Sequence, residues 1–151
     1  MDMIKVSVPA TLTYRDMVLR VVASSCRLVR TNFGTMQDPS RDSHEFDDKV
    51  VSAVGEAFNN VAIHAYRDRP AGLVELELEM DARSITIRLK DDGGGFSLAA
   101  QPNPHLETLP ESKLGLYIVR SFMDQVTYRP GNSPTDPNVL TLFKRYESAE
   151  D

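Results

Sequence analysis

The spacing of hydrophobic positions along this chain changes several times, and each change marks an element. Ile4, Val6 and Val8 alternate with Lys5 and Ser7, the two-residue period of a strand, and Pro9 ends the run. From about Tyr14 to Phe33 the spacing becomes helical, with Met17, Val18, Val21, Val22, Cys26 (or Ser25), Leu28 and Val29 as the apolar positions. Asn32, Gly34 and the polar stretch from Gln37 to Ser43 predict a loop. A second helix is expected from near Asp42 or Ser43. Asp42 and Glu45 form a capping pair there, and Asp47 and Asp48 suit the positive end of the helix dipole. Its apolar stripe is Val50, Val51, Val54, Phe58, Val61 and Ala65, and the run Arg67, Asp68, Arg69, Pro70 stops it.

Two strongly alternating segments follow. Val74, Leu76, Leu78 and Met80 face one way and Glu75, Glu77 and Glu79 the other. Ile85, Ile87 and Leu89 oppose Thr86, Arg88 and Lys90. With Asp81, Ala82 and Arg83 as the turn, this is a β-hairpin with one buried face, as in an antiparallel sheet covered by helices on one side. The glutamate row reads as a solvated face, on which the glutamates could pair with Arg88 and Lys90. Residues 97–112 lack any period and hold Pro102, Pro104 and Pro110, which makes them a long loop of the kind that is usually functional. A third helix is expected from about Leu114 to Asp124, then strands at Val126–Tyr128 and Val139–Phe143 around a loop from Pro130 to Pro137, and an acidic tail.

Length and composition narrow the class. The 151 residues suit a single domain, with 41% hydrophobic and 26% charged residues. The one cysteine, Cys26, rules out an internal disulfide and reads as core, and His44, His64 and His105 lie far apart without zinc spacing. A reducing, cytoplasmic compartment is expected. No run of apolar residues reaches membrane-spanning length, and the N-terminus has no signal-type apolar segment. With 17 basic against 22 acidic residues the net charge is −5, so the basic footprint of a nucleic-acid binder is missing.

Three places carry candidate chemistry. Glu56, Asn60 and His64 stand four residues apart and form one polar line on the second helix, flanked by Ala53, Ala57 and Ile63. A carboxylate and an amide one turn apart can polarise an attacking group and hold a metal-bound phosphate. Spacing alone leaves open an incidental pair on a solvent face, and His64 reads first as a hydrogen-bonded structural residue. The second place is the turn Asp91, Asp92, Gly93, Gly94, Gly95, directly after a strand. Its glycines let backbone approach a flat ligand closely, and Asp91 can accept from an exocyclic amine; a plain flexible turn is the alternative. It is neither a P-loop nor a Rossmann fingerprint, since no GxxxxGK[ST] occurs and no crossover helix follows. The third is Ser112, Lys113, Leu114, Gly115, Leu116 at a helix start, where amides can receive phosphate oxygens.

In this order and spacing, the three resemble the motifs of the Bergerat-fold ATPases over about residues 40–145. Glu56-x-x-x-Asn60 resembles the N-box, Asp91-x-Gly93-x-Gly95 the first glycine box, and Leu114-Gly115-Leu116 the second. Within that superfamily the chain is similar to the bacterial anti-sigma factor serine/threonine kinases. The similarity lies in the helix from Glu56 to Tyr66, in the run from Leu114 to Val126, and in the lack of a phosphotransfer or sensor region. The resemblance implies one α/β (α+β) two-layer sandwich: a mixed, largely antiparallel sheet with helices packed on one face. It implies ATP and Mg2+ as cofactors, a lid at residues 97–112, and Glu56 as general base toward a serine or threonine hydroxyl. Asn60 would ligate Mg2+, Asp91 would recognise adenine, Gly93 and Gly95 would admit the base, and Lys113, Leu114, Gly115 and Leu116 would lie at the phosphates. The implied partners are a sigma factor and an anti-anti-sigma protein, with a homodimer through the first strand also expected, and with no direct contact to nucleic acid or membrane. The chain departs from the family at Lys113, which stands where the second box usually has its first glycine. That departure keeps two other readings in view: a partner-switching module with weak or no ATP binding, and a detached histidine-kinase catalytic domain.

Overall fold

A computed structural model describes residues 2–33, 43–66, 70–93, 111–133 and 135–146. The elements run β1 (Asp2–Pro9), α1 (Arg15–Leu28), α2 (Ser43–Asn60), β2 (Leu73–Met80), β3 (Ser84–Asp91), α3 (Glu111–Phe122), β4 (Gln125–Arg129) and β5 (Asn138–Arg145). A single π-helical turn extends α1 over Val29–Phe33, and another extends α2 over Val61–Ala65. No helix of the described residues is long and apolar enough to cross a membrane.

The strands form one sheet in the order β1-β2-β3-β5-β4, and all four pairings are antiparallel. The expected mixed sheet is therefore uniformly antiparallel across the described strands. The reason is the route after β3: the chain leaves through α3, lays β4 at the far edge, and turns back so that β5 enters between β4 and β3 running against both. The alternation in β2 and β3 sets the register, with Leu76 opposite Leu89, Leu78 opposite Ile87 and Met80 opposite Ile85. These residues, with Leu140 and Leu142 of β5, are buried against Val18, Val22 and Cys26 of α1 and Val50, Val54 and Phe58 of α2. Burial pushes the Cys26 thiol far above its ordinary range, as befits an inert core residue. At the base of the helical layer Arg30 forks onto both carboxylate oxygens of Asp47, at 2.8 and 2.6 Å, and ties the end of α1 to the start of α2.

The outer face differs from the solvated row expected. Glu77 is only 7% exposed. It lies directly opposite Lys5 on one neighbouring strand and Arg88 on the other. Lys90 Nζ donates to its Oε1 at 2.5 Å, with Lys5 at 3.8 Å and Arg88 at 3.9 Å, while Arg88 also pairs with Glu79 at 2.7 Å. The long stems of these cations lie along the sheet and cover the carboxylate. Alternation assigns a residue to a face; it does not say how much its neighbours bury it there.

The hydrogen bond from Lys90, and then the charges of Lys90, Lys5 and Arg88, hold the Glu77 carboxyl below the usual glutamate range. Unfolding returns it to that range, so the stabilisation is full above the unfolded value and is lost as pH falls through the folded one. Glu77→Gln is expected to lower the stability measured by urea unfolding at neutral pH by about 1–3 kcal/mol. The difference from the parent should narrow as the titration is repeated in acid.

Candidate functional site

The site is organised along α2. Glu56 is half-buried and Asn60, one turn later, is buried, so this polar line is not an open solvent face. The neighbour that encloses it is α3. A Cβ added to Gly115 would lie 2.7 Å from Glu56 Oε2, closer than such atoms approach, so the missing side chain of Gly115 is what admits the glutamate carboxylate. At Asn60 the helix gives way to the π turn, a local feature frequent at functional sites. That turn ends at Ala65, whose carbonyl oxygen would stand 2.2 Å from a Cβ on Gly93. One helix and its extension are thus met by α3 at Glu56 and by the glycine turn at Ala65, with Asn60 between. At about 1.5 Å per residue the whole span is roughly 14 Å.

The glycine turn is held from two sides. Asp91, 7% exposed, closes β3, and its Oδ1 accepts from the Gly93 amide at 2.9 Å and from Asn138 Nδ2 at 3.1 Å. Asn138 Nδ2 also donates to the Gly93 carbonyl at 3.1 Å, and Asn138 Oδ1 accepts from the Gly131 amide at 2.8 Å. On the other side Tyr66 Oη lies 2.6 Å from Asp92 Oδ1 and 2.9 Å from the Leu73 carbonyl oxygen, and accepts from the Asp92 amide at 3.3 Å. Burial, then the hydrogen bond to the Asp92 carboxylate, pushes the Tyr66 hydroxyl well above its ordinary range, so it stays a donor. Gly72 leaves the room for this contact, since a Cβ there would meet the Tyr66 ring and hydroxyl at 2.7 and 2.8 Å.

Asn138 and Tyr66 are the residues that sequence reasoning missed. Asn138 is the first residue of β5 and pairs directly with Asp91, a relation that appears only once β5 is known to lie against β3. The available signal was an amide directly before the apolar positions Val139, Leu140 and Leu142. Of the residues expected at the site, Glu56, Asn60, Asp91, Gly93 and Gly115 are placed as above, while Gly95 and the lid segment 97–110 lie outside the described residues. Lys113, Leu114 and Leu116 belong to the backbone of α3. That helix starts at Glu111, three residues before the expected Leu114, and this changes the part played by its glycine. Unpaired amides belong to the first four residues of a helix, Lys113 and Leu114 among them, whereas Gly115 is the fifth and lies one turn in. His64 falls in the π turn and is not without a partner.

Among the described residues no three His, Cys, Asp or Glu side chains cluster as a metal cage. The oxygen donors present are the Asn60 amide, the Glu56 carboxylate one turn before it, and Asn59 Oδ1, which is buried without a hydrogen-bond partner among the described residues. Such a set fits Mg2+, a hard cation that takes few protein ligands and fills its shell with water and phosphate oxygens.

Known proteins resemble this chain over most of its length. The family model of the histidine kinase-like ATPase domain matches residues 8–144. The anti-sigma F factor of Clostridium novyi is 35% identical over 131 residues, covering 84% of this chain and 88% of that protein. The anti-sigma F factor of Clostridium beijerinckii is 35% identical over 112 residues, 70% of this chain and 76% of its own. The serine-protein kinase RsbW of Staphylococcus epidermidis is 30% identical over 127 residues, 78% of this chain and 80% of that one.

The two glycine contacts differ in what can yield. At Gly93 an added methyl meets backbone, whereas at Gly115 it meets the tip of a flexible side chain. Gly93→Ala is expected to cost about 1–3 kcal/mol in thermal or urea unfolding. Gly115→Ala should leave stability unchanged or raise it by up to about 1 kcal/mol through helix propensity, at the expense of displacing the Glu56 carboxylate.

Proposed function

This chain belongs to the histidine kinase-like ATPase family, among its anti-sigma factor serine/threonine kinases, and from that premise we propose that it binds ATP, phosphorylates a serine or threonine of an anti-anti-sigma protein, and sequesters a sigma factor in the cytoplasm. One observation carries the reading. Glu56 against Gly115, Asn60 one turn on, and the Asp91 turn beyond Ala65 follow one another along a single helix. That order matches a base, a metal ligand and a purine acceptor laid out along one extended ligand.

In this reading the Asp91 carboxylate accepts from the exocyclic amine of adenine, with the backbone at Gly93 and Gly95 beside the base. The amides opening α3, those of Lys113 and Leu114 among them, would receive the phosphates, with Gly115 and Leu116 in the next turn, since a helix N-terminus favours negative charge. Asn60 offers its amide oxygen to Mg2+, which when bound neutralises charge on the transferred group. Glu56 takes the proton from the acceptor hydroxyl as that oxygen bonds to the γ-phosphorus and the bond to the ADP oxygen breaks. Little covalent work falls to the protein, so holding these groups in place is most of the catalysis.

Lys113 supports a second reading, a partner-switching module that binds nucleotide weakly or not at all. Exchange of partners would then regulate the sigma factor without phosphoryl transfer. The outer edge of β1, unpaired among the described strands, is the surface at which a second copy would add its strand in either case.

Titration calorimetry with Mg-ATP separates the two readings, and no heat at millimolar nucleotide would overturn the first. Transfer of labelled phosphate to an anti-anti-sigma protein then tests the chemistry. Glu56→Gln is expected to slow transfer about 10²–10⁴-fold with ATP affinity little changed, and equal rates for variant and parent would refute the role of Glu56.

A further inference from the structure

Asn138 is buried, at 7% exposure. Its two ends are told apart by what they meet. The Gly131 amide is a donor, so the atom facing it is Oδ1. The Asp91 carboxylate and the Gly93 carbonyl are acceptors, so the atom facing both is Nδ2. Both protons of the amide are therefore spent on the glycine turn. Asp91 Oδ1 receives one of them together with the Gly93 amide, which fixes the plane of the carboxylate.

What holds Asn138 is the β4–β5 hairpin. Arg129 forks onto Asp136 at 3.1 and 3.3 Å, and Asp136 Oδ2 also accepts from the Asn132 amide at 3.0 Å. These contacts, led by the one from Arg129, hold the Asp136 carboxyl below its usual range. Gly131 is packed so tightly beneath Asp136 that a Cβ would fall 1.8 Å from that residue's carbonyl oxygen. The hairpin thus presents the Gly131 amide at a fixed place, and that amide fixes Asn138.

We infer that Asn138 is a positioning residue for base recognition: anchored by the 130–137 hairpin, it holds the Asp91 carboxylate so that Oδ2 meets the exocyclic amine of a 6-aminopurine. It contacts no ligand itself, because its donors are saturated. The inference rests on the nucleotide reading above, since it concerns how Asp91 discriminates, and it makes the hairpin a determinant of base selectivity.

The test compares ATP with inosine triphosphate, which carries an oxo group where adenine has its amine. The parent, Asn138→Leu, Asp91→Asn and the double variant are titrated with both nucleotides in the presence of Mg2+. Asn138→Leu keeps the shape of the side chain and removes its donors, and Asn138→Ser replaces it if the leucine variant does not melt cooperatively. ATP affinity is expected to fall by about tenfold or more in Asn138→Leu while affinity for inosine triphosphate changes by less than about twofold. The double variant should lose no more than Asp91→Asn alone, because both substitutions remove one interaction. Equal losses for the two nucleotides, or additive losses in the double variant, would make Asn138 merely structural and overturn the inference while the ATP reading stands. A parent that binds no ATP overturns both, and is recognised by the parent's own titration.

Discussion

The constraint on which the site depends is the approach of two glycine-bearing segments to a single helix. At Gly115 the carboxylate of Glu56 fills the space a methyl would take, and at Gly93 the carbonyl of Ala65 does so. Neither contact is a strong attraction. Their effect is geometric, because interiors are packed densely enough that one extra carbon must displace something. With both segments seated on α2 and its extension, Glu56, Asn60 and Asp91 are held against one another, as their proposed roles require. Catalysis by positioning requires that, since a displacement of an ångström costs orders of magnitude in rate.

The two sides of the sheet support this in different ways. The inner face supplies area: alternating residues of β2, β3 and β5 are buried against α1 and α2, and this fixes where α2 lies. The outer face supplies charge pairing, with Glu77 held among Lys5, Arg88 and Lys90. A buried carboxylate surrounded by cations adds little net stability over an apolar packing. It does penalise register slips, because a shift of one residue would expose these groups to the core. The strand end that carries Asp91 is therefore specified from both faces.

Much of this was legible in the chain, for identifiable reasons. Period-two alternation in Val74–Met80 and Ile85–Lys90 leaves no helical alternative, and the structure keeps both strands within a residue of those limits. Glu56 and Asn60 could be assigned to one face because four residues make slightly more than one turn. What could not be read is whatever depends on pairing between distant segments. The hairpin itself sets Glu77 beside Arg88 and Lys90, but its enclosure by β1 brings in Lys5 from 72 positions away, and the link from Asn138 to Asp91 spans 47 positions. The start of α3 was placed late because Glu111, Ser112 and Lys113 carry no apolar periodicity, so the pattern begins only at Leu114.

The π turn after Asn60 is the least legible feature, and it joins the two halves of the site. Val61, Ala62, Ile63, His64 and Ala65 read as ordinary helix, and nothing in their composition marks a change of hydrogen bonding. In a regular α-helix Ala65 would lie about 140° around the axis from Asn60, five steps of about 100° each. A π turn bonds each residue to the one five positions on, which brings the fifth residue back close to the starting face. The wider turn rotates Ala65 back toward the side of Asn60 relative to a regular helix, and the glycine turn packs on the Ala65 carbonyl. The wider turn is a poorer helix locally. What it supplies is a rotation at the junction between Asn60 and the glycine turn, the two places to which the proposed site assigns metal and base recognition.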